Sequence, residues 1–257
     1  MSYPKQNILF DLDDTLVHCN KYFDLILNHF FDLLQEWFAS HNLTRNAIRE
    51  KQIEIDVAGV HQVGFASEHF PQSLIDTYQF FSEQFGRRTD AREEQELRSL
   101  GRSVYEQEIE PYPGMAETLN SLQKAGHSLH LYTGGEQVIQ EKKIKQMKLA
   151  TYFDDRIYIR QHKNVEALEE IIQMNRLDRN ITWMIGNSLR TDVSPALAAG
   201  IHAVYLKQPK EWIYNMVEMV ELQKNANSVM YTIQKLTEVP RVIHESIQLH
   251  QQKRTLG

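Results

Sequence analysis

The sequence predicts an α/β fold, in which a parallel sheet carries helices on both faces, together with a separate helical domain. Five short apolar or β-branched runs alternate with helical sequence along most of the chain. Such alternation favours a parallel sheet, because each crossover between parallel strands is long enough to hold a helix. One interval, residues 17–110, breaks the alternation and shows helical periodicity alone. The five runs lie at residues 8–10, 129–132, 156–159, 181–185 and 203–206.

Composition narrows the classes of protein to consider. With 257 residues and 42% hydrophobic content, the chain fits one domain of ordinary size plus an insertion. A net charge of -6 argues against a general binder of nucleic acid or anionic membranes. The single cysteine, Cys19, permits no intrachain disulfide and fits a reducing compartment. The first apolar run begins near the N-terminus, and no run approaches the roughly 18 residues that cross a bilayer, so a cytoplasmic protein is expected.

Two carboxylates, Asp11 and Asp13, follow the first apolar run. Side chains at i and i+2 of a strand point the same way, so both are expected to project together at the strand's end, with Asp14 turned aside. Like charges held side by side need a cation or a bound proton, and phosphoryl-transfer sites use both solutions. The pair therefore predicts a site for a metal ion and a nucleophile. Asp14 is expected to cap or solvate the loop, and Thr15 either to orient Asp13 or to cap the next helix.

Further polar residues follow the later runs. Thr133 and Gly134 end the second run, and Lys163 comes after the third, just before helical sequence. The fourth run ends in a glycine-containing turn that carries Asn187 and Asp192. Ligands of parallel α/β sheets bind beyond the carboxyl ends of the strands. Residues far apart in the sequence are therefore expected to converge on one crevice.

These four segments, in this order, resemble the four motifs of the haloacid dehalogenase (HAD) superfamily. The resemblance covers residues 7–18 and 111–206 approximately. It implies a Rossmann-like catalytic core of residues 1–16 and 111–257, with a helical cap of type C1 at residues 17–110. In this superfamily such a cap closes over the site, which excludes water and supplies substrate contacts.

The resemblance also implies roles for the motif residues. Asp11 would be the nucleophile that forms an aspartyl-phosphate, and Asp13 the acid for the leaving group and then the base for water. Thr133 and the backbone N–H of Gly134 would donate hydrogen bonds to phosphate oxygens. Lys163 would hold both Asp11 and the phosphate as a point charge.

The cofactor implied by the resemblance is Mg²⁺, because the available ligands are all oxygen atoms. They are Asp11, the backbone carbonyl of Asp13, Asn187 and Asp192. Many members of the superfamily have aspartate where this chain has Asn187. An amide oxygen can bind Mg²⁺ but removes one negative charge from the ligand set, so Asp192 is the expected acidic ligand besides Asp11. A zinc site is not expected, because the histidines show neither HxH nor HExxH spacing.

Residues 58–70 are the candidate substrate-facing loop of the helical interval. They hold two glycines, two histidines and two phenylalanines between helical stretches. The alternative is an ordinary connection between two helices. If the loop faces the substrate, His61, Phe65 and His69 are its candidate contacts.

Helical periodicity and turn signals predict the remaining elements. Helices are predicted around residues 22–38, 74–85 and 93–105, helical stretches within 212–257, a short strand around 229–236 and a turn at 237–240. A helical run after the second motif carries four lysines that are expected to be surface charge, Lys142, Lys143, Lys145 and Lys148.

The sequence thus predicts an enzyme, a Mg²⁺-dependent phosphatase that acts on a small phosphorylated metabolite as a monomer or homodimer. A haloacid dehalogenase is disfavoured, because those members of the superfamily lack the second aspartate, here Asp13, and need no metal. A phosphonatase usually needs a Schiff-base lysine in the cap, and Lys21 and Lys51 stand in no recognisable motif. Two alternatives stay open: a phosphomutase, and a non-catalytic binding or regulatory protein on this fold, which Asn187 alone favours.

Overall fold

The computed structural model describes residues 4–217 and 228–256. The chain forms two compact units, one of Met1–His18 with Ile109–Gly257 and the other of Cys19–Glu108. The sequence predicts the boundaries of the second unit after residues 16 and 110. In the structure, they fall after residues 18 and 108. The assignment of the second unit as a cap stays a prediction.

The first unit contains a six-stranded sheet in the order β3-β2-β1-β4-β5-β6, with parallel pairing throughout. The predicted α/β class is therefore confirmed. The strands are β1 (Asn7–Phe10), β2 (Ser128–Gly134), β3 (Ile157–Arg160), β4 (Thr182–Gly186), β5 (His202–Leu206) and β6 (Met230–Ile233). The last of these lies within the short strand predicted around residues 229–236.

The helices are numbered in chain order through both units. They are α1 (Asn20–Trp37), α2 (Arg45–Val63), α3 (His69–Gln84), α4 (Ala91–Arg102), α5 (Met115–Lys124), α6 (Gln137–Gln146), α7 (Ala150–Phe153), α8 (Val165–Met174), α9 (Ser194–Ala198) and α10 (Val239–Leu256). None of the described helices is both long enough and apolar enough to cross a membrane.

Strand β1 is buried on both faces, which explains its unbroken apolar sequence. Ile8 and Phe10 are in one layer of the core, with side chains of α5 and α10. Leu9 is in the opposite layer, with side chains of α8 and α9. All three residues are 0% exposed, so a polar residue at any of them would be buried without a partner.

The chain reverses its direction of travel across the sheet at β1. Successive strands β2 and β3 lie on one side of β1, and β4, β5 and β6 lie on the other. In parallel sheets, ligands bind at this kind of switch point, outside the carboxyl ends of the strands. Asp11 directly follows β1 and Asn187 directly follows β4, so both are placed at the switch point.

The second unit consists of α1 to α4 around a core of its own. Phe30, Phe38, Leu74, Tyr78 and Leu97 belong to one buried cluster of this unit. The helical periods predicted from the sequence correspond to α1, to α3, and to α4 with the 3₁₀ turn Ser103–Glu106. Helix α2 begins with its N-cap Thr44, whose side chain accepts a hydrogen bond from the N–H of Ala47 at 3.2 Å.

The loop predicted at residues 58–70 is wrong in extent. Helix α2 continues to Val63 and α3 begins at His69, so only residues 64–68 connect them. Gly59 suggested a loop but lies inside α2, where it makes room for a neighbour. A Cβ atom at this position would lie 1.9 Å from the ring of His69.

The C-terminal part of the chain ends in a long helix. The turn predicted at residues 237–240 is a 3₁₀ turn, Leu236–Glu238, followed directly by α10. Residues 218–227, part of the stretch predicted to be helical in places, lie outside the described residues.

Candidate active site

Lys163 lies between two of the predicted site carboxylates. Its Nζ is 2.7 Å from Asp11 Oδ1 and also forms an ion pair with Asp192. The three side chains are almost fully enclosed, with 2% of Lys163, 9% of Asp11 and 1% of Asp192 exposed. The structure thus brings together one residue after β1, one before α8 and one after β4, as the motif order predicts.

Asp11 is fixed from several sides. Its backbone N–H donates to the carbonyl of Ile185 at 2.9 Å, which continues the pairing of β1 with β4. Thr15 Oγ1 donates to Asp11 Oδ2 at 3.0 Å and lies 3.4 Å from Asn187 Oδ1. Both roles predicted for Thr15 are therefore wrong, because its hydroxyl is bound to Asp11 and the next helix begins only at residue 20.

A short π-helical turn, Leu189–Val193, places Asp192 in the site. The backbone N–H of Ser188 donates to Asp192 Oδ2 at 2.9 Å, and Ser188 Oγ accepts from Thr191 N at 3.1 Å. Gly186 leaves the space that the Asp192 side chain occupies. A Cβ atom on Gly186 would lie 2.2 Å from Asp192 Oδ2.

The electrostatics of the site follow from two buried carboxylates that share one ammonium. Burial, together with the charge of Asp192, raises the pKa of Asp11 from 3.8 to about 7, against the opposing effect of Lys163. Burial also acts against the charge of Lys163, but Asp11 and Asp192 outweigh it and raise the pKa of Lys163. With all three groups ionised, the set carries one excess negative charge.

Asp13 contacts a different set of residues. Lys143 Nζ is 2.6 Å from Asp13 Oδ1, and Gln140 Nε2 is 2.8 Å from Asp13 Oδ2. The prediction that Lys143 is only surface charge is wrong, because its side chain is 16% exposed and bound to Asp13. Sequence reasoning missed both partners. Their i, i+3 spacing on the helix after the second motif was the available signal, since it places them on one face.

Thr133 and Gly134 end β2 beside the same glutamine. Thr133 is 0% exposed, and Gln140 Nε2 lies 2.9 Å from its Oγ1. Lys163 Nζ lies 4.9 Å from the centre of the Tyr132 ring, a cation–π contact that sequence reasoning also missed. Burial raises the pKa of Tyr132 to about 12, with Lys163 opposing the shift, so this phenol stays protonated at neutral pH.

Asp14 is buried, at 7% exposure, so the expectation that it is solvated in the loop is wrong. Its φ of +57° is a left-handed conformation, which aspartate tolerates better than most residues. The N–H of Asp14 donates to the carbonyl of Val17 at 2.7 Å, and its carbonyl accepts from Gln208 Nε2 at 2.9 Å. These bonds form the tight turn that follows the two motif aspartates.

The oxygen atoms around Lys163 suit a small divalent cation. The carboxylates of Asp11 and Asp192 and the amide oxygen of Asn187 are hard donors of the kind that Mg²⁺ prefers, and the excess negative charge of the ionised set favours a cation. In the described part of the chain, no group of three or more His, Cys, Asp or Glu residues is placed to hold a metal. A cation at this site would therefore also draw on the amide oxygen and a backbone carbonyl.

The three predicted substrate contacts belong to the second unit. His61 lies exposed in the last turn of α2, and Phe65 is partly exposed in the connection 64–68. His69 Nε2 lies 2.8 Å from the carbonyl oxygen and 3.3 Å from the carboxylate of Asp56. The contact with the Asp56 carboxylate, together with the hydrogen bond to its carbonyl, raises the pKa of His69. Whether these residues contact a substrate stays a prediction.

Comparison with known proteins agrees with this architecture. A family model described as haloacid dehalogenase-like hydrolase matches residues 5–200. A haloacid dehalogenase-like family hydrolase from Xanthomonas campestris is similar in structure, with a TM-score of 0.72, 21% identity, and coverage of 96% of this chain and 99% of that chain. A search of curated proteins found no match.

Two further solved structures are similar in fold. The HAD-hydrolase YfnB from Bacillus subtilis, described as bound to magnesium, has a TM-score of 0.62 at 18% identity and covers 93% and 98% of the two chains. A 2-haloacid dehalogenase from Pseudomonas syringae has a TM-score of 0.53 at 18% identity and covers 94% and 99%. At such identities these structures show the fold alone. The family model spans most of the chain, and the chain therefore belongs to the haloacid dehalogenase-like hydrolase family.

Proposed function

We propose that this hydrolase is a Mg²⁺-dependent phosphatase that cleaves a small phosphomonoester through an aspartyl-phosphate on Asp11. The observation that carries this proposal is the separate placement of two carboxylates at the end of β1. Asp11 is paired with Lys163, whereas Asp13 is bound by Lys143 and Gln140. These contacts support a nucleophile at Asp11, which lies beside a cation, and a proton-transfer group at Asp13, two residues away.

The proposed reaction has two steps. First, a carboxylate oxygen of Asp11 attacks phosphorus, the ester P–O bond breaks, and Asp13 gives a proton to the departing oxygen. Next, Asp13 takes a proton from water, whose oxygen attacks phosphorus and releases inorganic phosphate with Asp11 restored. Lys163 balances negative charge in both steps, and the hydroxyl of Thr133 is a donor for a phosphoryl oxygen.

A Mg²⁺ ion would be held by Asp11, Asp192, the amide oxygen of Asn187 and the backbone carbonyl of Asp13. When bound, Mg²⁺ screens the repulsion between an anionic nucleophile and an anionic substrate. The excess negative charge that the buried set carries when Asp11 and Asp192 are both ionised supports this cofactor. The likeness to a B. subtilis protein described as bound to magnesium adds support at the level of the fold.

Dehalogenation is the competing activity, because solved structures of similar fold include dehalogenases. That reaction also uses an aspartate nucleophile, but its halide leaving group needs no proton. A buried glutamine and a lysine that both hold Asp13 would then have no purpose in the chemistry. A carboxyl group held beside Asp11 can transfer a proton, which an alkoxide leaving group needs and a halide does not, so the presence of Asp13 favours a phosphomonoester.

The test is hydrolysis of p-nitrophenyl phosphate with Mg²⁺, measured as release of inorganic phosphate. We expect turnover that stops on chelation and falls by several orders of magnitude in Asp11→Asn, since no other side chain can replace the nucleophile. Thermal unfolding of the variant should match the wild type within a few degrees. Activity of Asp11→Asn within about tenfold of the wild type would refute the proposal.

A further inference from the structure

Both carboxylate oxygens of Asp13 are bound by one helix, α6. Lys143 Nζ contacts Oδ1 at 2.6 Å, and Gln140 Nε2 contacts Oδ2 at 2.8 Å. The two partners are three residues apart, so they project from the same face of the helix. Because each oxygen of the carboxylate has a partner, the group can neither rotate about its Cβ–Cγ bond nor shift without breaking a contact.

The same glutamine connects Asp13 to the end of β2. Gln140 Nε2 lies 2.9 Å from Thr133 Oγ1 and 2.5 Å from the carbonyl oxygen of Gly134. One amide NH₂ has two hydrogens, so it satisfies at most two of its three acceptors well at once. Gln140 therefore sets the distance between the proton-transfer group and the hydroxyl that is proposed to hold the phosphoryl group.

The burial of Gln140 needs a reason beyond packing. The residue is 1% exposed, and its Oε1 has no hydrogen-bond partner among the described residues. A buried amide oxygen without a partner destabilises the folded chain, and an apolar residue of similar size would avoid that penalty. A role that depends on the NH₂ group accounts for a polar residue at this position.

The backbone before α6 is shaped to admit this amide. Gly135 has a φ of +135°, a conformation that residues with side chains rarely adopt. A Cβ atom at Gly135 would lie 3.0 Å from Gln140 Nε2, so a side chain there would press on the amide. The glycine thus lets Gln140 reach Thr133 and Asp13 together.

From these contacts we propose that Gln140 and Lys143 are positioning residues that hold the Asp13 carboxylate for proton transfer to the leaving group. This inference rests on the proposed phosphatase function. Neither residue is proposed to touch the reacting atoms. Gln140, which is buried, and Lys143, which is largely buried, fix the Asp13 carboxylate relative to Thr133. A shift of about 1 Å in such a group can reduce the rate by about a hundredfold.

Three variants and one control separate positioning from general support of the fold. Lys143→Met keeps the aliphatic stem but removes the ammonium, and Gln140→Met keeps the length but removes the donors. Lys143→Arg restores a cation. Lys145→Met is the matched control, because Lys145 lies exposed on the same helix. Thermal unfolding of each variant checks that it folds.

The readout is kcat/KM across phenyl phosphates whose leaving groups differ in basicity. A weakly basic nitrophenolate departs with little need of a proton, whereas a strongly basic phenolate needs one. We expect Lys143→Met and Gln140→Met to lose about tenfold or more on the most basic leaving group, and much less on the nitrophenolate. Lys143→Arg should recover most of this loss, and Lys145→Met should match the wild type. Equal losses on every leaving group, or no recovery in Lys143→Arg, would overturn the proposal.

Crystal structures distinguish failure of this inference from failure of the proposed function. In Lys143→Met the Asp13 carboxylate should be displaced from its place beside Thr133. If the wild type hydrolyses phenyl phosphates but Asp13 stays in place in the variant, positioning is refuted and the phosphatase stands. If the wild type hydrolyses none of the phenyl phosphates, the proposed phosphatase function is refuted. A displaced Asp13 in Lys143→Met would then show a structural contact with no part in phosphate hydrolysis.

Discussion

At the level of single residues, charge is the property that distinguishes the two candidate metal ligands after β4. Asp192 supplies a buried carboxylate shared with Lys163, whereas Asn187 supplies only an amide oxygen. The excess negative charge of the site therefore depends on Asp192. Replacing the aspartate by its amide removes that excess while keeping the shape.

We predict that Asp192→Asn raises the Mg²⁺ concentration needed for half-maximal turnover by about tenfold or more, which corresponds to about 1.4 kcal/mol of binding. Asn187→Asp should lower the same concentration, because it adds a carboxylate. A Mg²⁺ titration of p-nitrophenyl phosphate hydrolysis measures both. The reverse order of the two variants would show that the ligands are wrongly assigned.

The sequence could predict which residues occupy the site but not every partner they have. Asp11, Thr133 and Asn187 follow or end strands, and strand ends are visible as the end of an apolar run. The hydroxyl of Thr15 and the ammonium of Lys143 bind Asp11 and Asp13, respectively. Those contacts depend on rotamers and on the rotation of a helix about its axis, which no single-sequence pattern specifies.

Among the elements, the π-helical turn after β4 depends on one glycine. Gly186 ends β4, and a methyl group there would overlap the carboxylate of Asp192. Because Asp192 also binds Lys163 and Ser188 N, it cannot move without breaking buried contacts. The π-helical turn can therefore pack against the end of β4 only because residue 186 has no Cβ atom.

Gly186→Ala should therefore abolish Mg²⁺-dependent turnover and lower the unfolding temperature. The matched control is Gly126→Ala, where φ is +87° and a Cβ atom would meet nothing within 4 Å. That control should lose about 1 kcal/mol of stability through backbone strain but keep its activity. Full activity in Gly186→Ala would show that Asp192 tolerates displacement.

The extent of the helices around residues 58–70 was not predictable from composition. Glycine is unfavourable in a helix interior by about 1 kcal/mol relative to alanine, so Gly59 reads as a helix end. Packing outweighs this preference, because the ring of His69 occupies the space beside Gly59 and its Nε2 binds Asp56. These contacts account for a glycine inside α2, and the helix ends only at Gly64, a C-cap whose φ is +70°.

For the molecule as a whole, the second unit is predicted to select substrates without performing the chemistry. His61→Ala and Phe65→Ala should change relative kcat/KM among natural phosphomonoesters much more than they change turnover of p-nitrophenyl phosphate. His69→Ala is a poorer test, because loss of its contact with Asp56 is expected to destabilise the unit. Equal losses on all substrates would refute a role in specificity.

The stability of the first unit should depend on pH through a buried histidine. His127 Nδ1 accepts from the N–H of Gln6 at 3.2 Å, and its Nε2 lies 3.3 Å from His244 Nε2. Burial, with a smaller effect of His244, lowers the pKa of His127 from 6.5 to about 4. Between these two pH values the unfolded chain binds the proton and the folded chain does not, so the free energy of unfolding falls as pH falls.

We predict that the free energy of unfolding falls less in His127→Gln than in the wild type when the pH is lowered from 6.5 to 4.5. The two decreases should differ by at most about 3 kcal/mol. Urea unfolding without metal at the two pH values measures this difference. The raised pKa of Asp11 acts in the opposite direction but is common to both proteins and cancels. Identical pH dependence in the two proteins would show that His127 is not the titrating group.

The claim that Asp11 carries a covalent phosphoryl group is tested most directly by trapping that group. In Asp13→Asn the second step lacks its base, so the intermediate should accumulate with p-nitrophenyl phosphate, whose leaving group needs little protonation. Borohydride reduces an acyl phosphate of aspartate to homoserine. Mass spectrometry of the trapped protein should find homoserine at residue 11, and only when substrate and Mg²⁺ are both present. The mechanism would be contradicted if the wild type releases phosphate but the trapped variant contains unmodified Asp11. Homoserine at a residue other than 11 would contradict it as well.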